Sequence, residues 1–170
     1  MIRKLFFPAL AILLLVPWPV AYAYDNAVAG AGPVQVAAAE PSVAPEMAAL
    51  GNAVGGITSP GTLFYVDATG APGDVSVALY LTNADELIHY YRYLILKVGV
   101  YVQAGADWQP AASGSGELFP DTYLTLRNGR VSFTLPGYAR YKVTIDSGCF
   151  YFSPAVAGGS ISPKFYLTVE

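Results

Sequence analysis

Apolar and polar side chains alternate over residues 75–82, with Val75, Val77, Leu79 and Leu81 set against Ser76, Ala78, Tyr80 and Thr82. A period of two is the mark of a strand with one buried face. The same period runs through residues 93–102. There Leu94, Leu96, Val98, Val100 and Val102 share one side, and Tyr93, Ile95, Lys97, Gly99 and Tyr101 share the other. The second side is too apolar to be merely wet, which predicts a central strand partly covered on both faces. Tyr141, Val143 and Ile145 alternate with Arg140, Lys142, Thr144 and Asp146, and Phe165, Leu167 and Val169 alternate with Lys164, Tyr166, Thr168 and Glu170. Residues 149–152 form a short, wholly apolar piece. Asn83 and Asp85 offer N-caps for one short helix over residues 85–90.

Asn128-Gly129 lies between two alternating runs and predicts a hairpin with a two-residue type I′ turn. In that register Leu126 faces Val131 and Leu124 faces Phe133 on the core side. Tyr123 faces Thr134 and Thr125 faces Ser132 outside. Further turn signals stand at Gly70 with Pro72-Gly73, at 113–116, at Pro136-Gly137 and at Gly158-Gly159. About seven or eight short strands over residues 61–170, with one short helix, predict an all-β, antiparallel Greek-key β-sandwich. A barrel is the alternative.

The residues before this domain differ in texture. Arg3 and Lys4 precede an apolar stretch over 5–16, Pro17 and Pro19 follow, and Ala21-Tyr22-Ala23 has the form of a cleavage site. Residues 1–23 therefore predict a signal peptide, with secretion or surface display and no membrane span after cleavage. Residues 24–60 are dominated by Ala, Val, Gly and Pro and predict a flexible arm, with one helical turn opened by Pro45-Glu46. The sharper reading of the arm is a strand donor, adding to a sheet edge of a neighbouring copy. Within it Val34, Val36 and Ala38 alternate briefly with Pro33, Gln35 and Ala37.

Leu135-Pro136-Gly137 followed by Tyr141 resembles the tyrosine corner of immunoglobulin-like and fibronectin type III modules. Tyr141 stands one residue later than the usual spacing, and the resemblance covers residues 135–145. It implies a Greek-key sandwich in which a tyrosine hydroxyl bonds back across the corner, and it implies nothing about function.

Composition narrows the chemistry. The net charge is −3, and loss of Arg3 and Lys4 with the leader takes it to −5. Such a chain has no basic stripe for nucleic acid. The one cysteine, Cys149, excludes an internal disulfide. Flanked by Gly148, Phe150, Tyr151 and Phe152, it is expected to be buried and inert, with an intermolecular disulfide as the alternative. The one histidine, His89, excludes a multi-histidine zinc site and is expected to be solvated near Glu86. No G-x-S-x-G elbow accompanies it. Asp67 and Asp74 bracket a Gly/Pro turn and are the weak candidates for a calcium site, although their spacing does not match an EF-hand loop. Asp85, Glu86, Glu117 and Asp121 carry no pattern that marks a glycosidase pair. No cofactor and no catalytic residue is expected.

What stands out is tyrosine. Tyr80, Tyr93, Tyr101, Tyr123 and Tyr166 all fall at the outward parity of their runs. Tyrosine there is a stiff amphipathic contact group of the kind interfaces enrich. Arg127 and Arg130 flank the predicted turn and, if directly opposite, need a carboxylate such as Asp121 or Asp146, or an anionic partner. The expectation is a secreted, non-catalytic structural or adhesive module whose partner is protein, through self-association or another surface protein. The alternative is an extracellular glycan- or ligand-binding module using the tyrosine face.

Overall fold

The structure is a computed structural model that describes residues 32–50, 53–113, 119, 121–153 and 161–170. The expected leader (1–23), the start of the expected arm (24–31), Glu117 and the turn signals at 114–116 and Gly158-Gly159 lie outside the described residues.

The fold is an antiparallel all-β sandwich with one short helix. Two long strands, β6 (Tyr91–Ala104) and β10 (Arg140–Phe152), pair along almost their whole length and form the spine of the larger sheet. Beyond β10 the sheet divides. β4 (Gly61–Asp67) pairs with its first half and β3 (Val54–Ser59) with its second. β1 (Gln35–Ala38) then flanks β4, and β2 (Glu46–Ala49) flanks β3. Beyond β6, β7 (Asp107–Pro110) and β8 (Thr122–Thr125) divide the edge in the same way. The smaller sheet has β5 (Val75–Leu81) between β11 (Phe165–Val169) and β9 (Arg130–Leu135).

The parity read from the sequence sets the core. Leu94, Leu96, Val98 and Val100 from β6 and Tyr141, Val143 and Ile145 from β10 are buried. So are Val77, Leu79 and Leu81 from β5, Val131, Phe133 and Leu135 from β9, and Phe165 and Leu167 from β11. The expected centrality of the long strand is also seen, because β6 has paired neighbours on both sides.

Residues 35–38, 46–49 and 54–59 depart from the expectation of an arm. They form β1, β2 and β3 and pair within the same chain. Val34, Ala39 and Met47 are buried, and Val36, Ala38 and Ile57 pack against the core. The brief alternation at Val36 and Ala38 is therefore a real edge strand. Where a helical turn was expected after Pro45, residues 46–49 are extended, because strand pairing to β3 satisfies backbone groups that a single isolated turn leaves open.

The Asn128-Gly129 hairpin is also absent. β8 pairs with β6 in the large sheet, whereas β9 pairs with β5 in the small one. Residues 126–129 therefore cross from one layer to the other. A type I′ turn needs positive φ at both central residues, and neither Asn128 nor Gly129 has it. The Asn128 N–H instead donates to Thr125 Oγ1 at 2.9 Å, and the Leu81 N–H donates to the Gly129 carbonyl at 2.7 Å. Leu124, Val131 and Phe133 still face the core, so parity held while pairing did not. A two-residue turn does occur at Gly105-Ala106, where Gly105 takes φ 67° and joins β6 to β7. It places Trp108 on a strand rather than in a loop.

Helix α1 (Ala84–Tyr90) forms where expected, but Asn83 caps it only through its carbonyl. The Asn83 side chain reaches across to the approach of β11, donating to the Ser162 carbonyl at 3.0 Å and accepting from the Lys164 N–H at 2.8 Å.

At the corner, the Tyr141 hydroxyl donates to the Pro136 carbonyl at 2.6 Å. This is the bond that the tyrosine-corner resemblance implies. Tyr138, beside it, takes φ 60° and is exposed. Tyr141→Phe removes one part-buried hydrogen bond and should cost about 1 kcal/mol. Thermal denaturation of the two proteins would read this as a loss of about 4 °C.

Candidate contact surface on the large sheet

The five outward tyrosines fall on two opposite faces. Tyr80 and Tyr166 face each other across β5 and β11 on the small sheet, with ring centroids 6.2 Å apart. Arg130 belongs to that cluster. Its Nε donates to the Tyr80 hydroxyl at 2.9 Å, its guanidinium lies 5.6 Å from the Tyr80 ring centroid, and it pairs with Glu170. The Tyr80 hydroxyl in turn donates to Glu170 at 3.3 Å. Glu170 and Tyr80 hold the Arg130 proton more firmly than usual. The predicted Arg127–Arg130 repulsion does not arise, since the two residues serve different layers and Glu170, not Asp121 or Asp146, neutralises Arg130.

Tyr93, Tyr101 and Tyr123 lie on the outer face of the large sheet. Around Tyr101 the polar groups are satisfied by one another. Its hydroxyl donates to Asp146 Oδ2 at 3.0 Å, and Thr144 Oγ1 donates to Asp146 Oδ1 at 2.6 Å. Gly99 makes this possible, because the Asp146 carboxylate lies over its Cα where any Cβ would collide. Burial, reinforced by the bond to Asp146, pushes the Tyr101 hydroxyl pKa up. Lys142 Nζ sits 5.2 Å from the ring centroids of both Tyr101 and Trp108, and Trp108 packs on Tyr65 with centroids 6.0 Å apart. Lys97 pairs with Asp121 at 2.7 Å, which lowers the Asp121 pKa and raises that of Lys97. Arg140 pairs with Asp67 at 2.9 Å. Across this half the charges are matched locally.

The other half of the face is apolar and open. Val54, Tyr151 and Tyr93 align across β3, β10 and β6, and the two tyrosine rings stack with centroids 5.8 Å apart at 22°. The next row holds Gly56, Cys149, Ile95 and Thr125. Tyr123 stands diagonal to Ile95 on β8. Val54 is 44%, Tyr93 42%, Ile95 38% and Tyr123 43% exposed. A contiguous set of large apolar side chains on one sheet face is the kind of patch that monomers rarely leave open without use.

Cys149 is exposed on this face, contrary to the expectation of burial. The cause is a bulge in β10 between Ile145 and Ser147. One extra residue reverses the side-chain parity beyond it, so Phe150 turns inward while Cys149 and Tyr151 turn outward. Residues 149–152 thus alternate after all. The same bulge hides Tyr151 from a parity reading, Val54 lies in the segment read as an arm, Ile95 faces outward as its parity predicts, and Tyr65 is exposed between buried Phe64 and Val66.

The Asp67 carboxylate accepts from the Thr69 N–H and hydroxyl and from Arg140, and the Thr69 bonds lead in lowering its pKa. Its oxygens are engaged within the fold, and among the described residues no group of three or more His, Cys, Asp or Glu converges as metal ligands. His89 is exposed on α1. Arg127 lines an open groove of about 570 Å³ with Arg92, Ile88, Tyr93, Leu126 and Ser153, at the α1 end of the large-sheet face. Tyr91 underlies it, its hydroxyl donating to the Ile161 carbonyl at 2.8 Å, and burial pushes the Tyr91 pKa up to about 12. No protein-family model matches the chain, and no curated protein matches it.

Proposed function

We propose that the chain is an exported, non-catalytic structural or adhesive module that associates with a second copy through the outer face of its large sheet. The carrying observation is the contiguous patch of Val54, Tyr93, Ile95 and Tyr123, bordered on the Tyr101 side by charges already paired within the chain. On the Tyr101 side the charges stand as ion pairs already formed, Lys97 with Asp121 and Arg140 with Asp67, while Arg92 and Arg127 lie at the α1 end, an arrangement open to the self-complementary contact of a two-fold dimer. Aromatic side chains on a half-buried sheet give large contact area at small entropic cost. The strand-donor route is not part of this reading for residues 35–59, since their pairing partners lie in the same chain. Sedimentation velocity over a concentration series tests the proposal. The wild-type protein should dimerise, and Ile95→Ser with Tyr123→Ser should weaken dimerisation about tenfold or more while leaving the melting temperature nearly unchanged. A wild-type protein that stays monomeric at the highest concentration would rule out self-association.

A second reading, an extracellular glycan-binding module, is favoured by one observation. The exposed ring of Tyr93, backed by Tyr151, forms a wall of the open groove. Flat aromatic surface beside polar groups is how sugar rings are held.

A further inference from the structure

The groove at the α1 end of the large sheet has a chemistry of its own, and a ligand assigned to it rests on the glycan-binding reading. Arg92 and Arg127 both line it. Neither forms an ion pair among the described residues, whereas Lys97, Arg130 and Arg140 each do. No carboxylate belongs to the described residues that line the groove. In a chain of net charge −3 this is a local reversal of sign. Two arginines on one cleft with no carboxylate in its described lining make it a positive patch, which a ligand anion complements. Guanidinium is also the group whose planar fork matches a carboxylate through two parallel hydrogen bonds.

The rest of the lining selects the body that bears the anion. Tyr93 and Ile88 are 42% and 51% exposed and offer apolar walls. Thr125 Oγ1 accepts the Asn128 N–H at 2.9 Å, which leaves its own proton to donate to a ligand hydroxyl. A volume of about 570 Å³ lies in the usual range for small-ligand clefts. We infer that the groove binds an acidic sugar, its carboxylate held by Arg92 and Arg127 and its ring laid against Tyr93.

Isothermal titration of the full-length mature protein tests this with two acidic probes and their neutral counterparts: tetragalacturonate against its methyl ester, and sialyllactose against lactose. At least one acidic probe should bind about tenfold or more tightly than its neutral counterpart, and Arg92→Gln with Arg127→Gln should remove that preference. Affinity should also fall as salt is raised. Arg130→Gln, on the opposite face, should leave binding unchanged. Equal binding of acidic and neutral partners would overturn the acidic specificity and keep the glycan reading. No binding by any of the four probes would overturn both. Acidic binding that survives the double arginine substitution would overturn the assignment to this groove.

Discussion

A chain that begins at Gly61 will fail to fold cooperatively. Removal of residues 24–60 strips β1 from β4 and β3 from the second half of β10, leaving two bare edges beside the core. It also removes the buried side chains of Val34, Ala39 and Met47 and the packing of Val36, Ala38 and Ile57. At about 1.5–3 kcal/mol for each large apolar side chain, the loss is on the order of 5–10 kcal/mol. That approaches the whole stability of a typical domain. Far-UV circular dichroism and thermal denaturation should show a broad, non-cooperative transition. A sharp melt within a few degrees of the full-length protein would mean that residues 35–59 are an appendage, as their composition alone suggests.

The second large effect is expected at Gly55→Val. Gly55 pairs with Phe150, and the Phe150 ring lies over the Gly55 Cα, with the Ala48 carbonyl pressing from the side. A branched side chain there must displace either a ring that is 1% exposed or the backbone of β2. Overpacking of this kind costs about 3 kcal/mol. Equilibrium urea unfolding should report the loss as a lower midpoint with an unchanged slope. Phe150→Ala in the same chain should make the valine far less harmful than it is alone, because the two changes share one space. A Gly55→Val protein of wild-type stability would contradict the β3–β10 register.

Both predictions concern places where the sequence was hard to read, and the reasons are physical. Long alternating runs such as 75–82 and 93–102 declared their inner faces, since burying one face fixes parity strongly. The Pro136–Tyr141 corner was legible because its chemistry is local. Partners were not legible. Asn128-Gly129 has hairpin composition, yet its flanking strands join different sheets, and the competing partners β5 and β6 are distant in sequence. β3 was hidden because Gly55 and Gly56 leave their contacts to Phe150 and to the backbone of Gly148. The bulge at Asp146 was hidden as well, and with it the outward turn of Cys149 and Tyr151. The tyrosine signal was half right. Parity placed all five outward, but it could not tell that Tyr80 and Tyr166 face away from the other three.

The proposed contact surface centres on Ile95 rather than on the tyrosines as a set, and Cys149 lies beside it on the neighbouring strand. This supplies a native probe. The rate at which the Cys149 thiol reacts with a disulfide reagent such as 5,5′-dithiobis(2-nitrobenzoate) should be fast in dilute folded protein. It should fall about tenfold or more at concentrations where sedimentation shows dimer, because the opposing face covers it. A reaction equally fast in monomer and dimer would contradict association through this face.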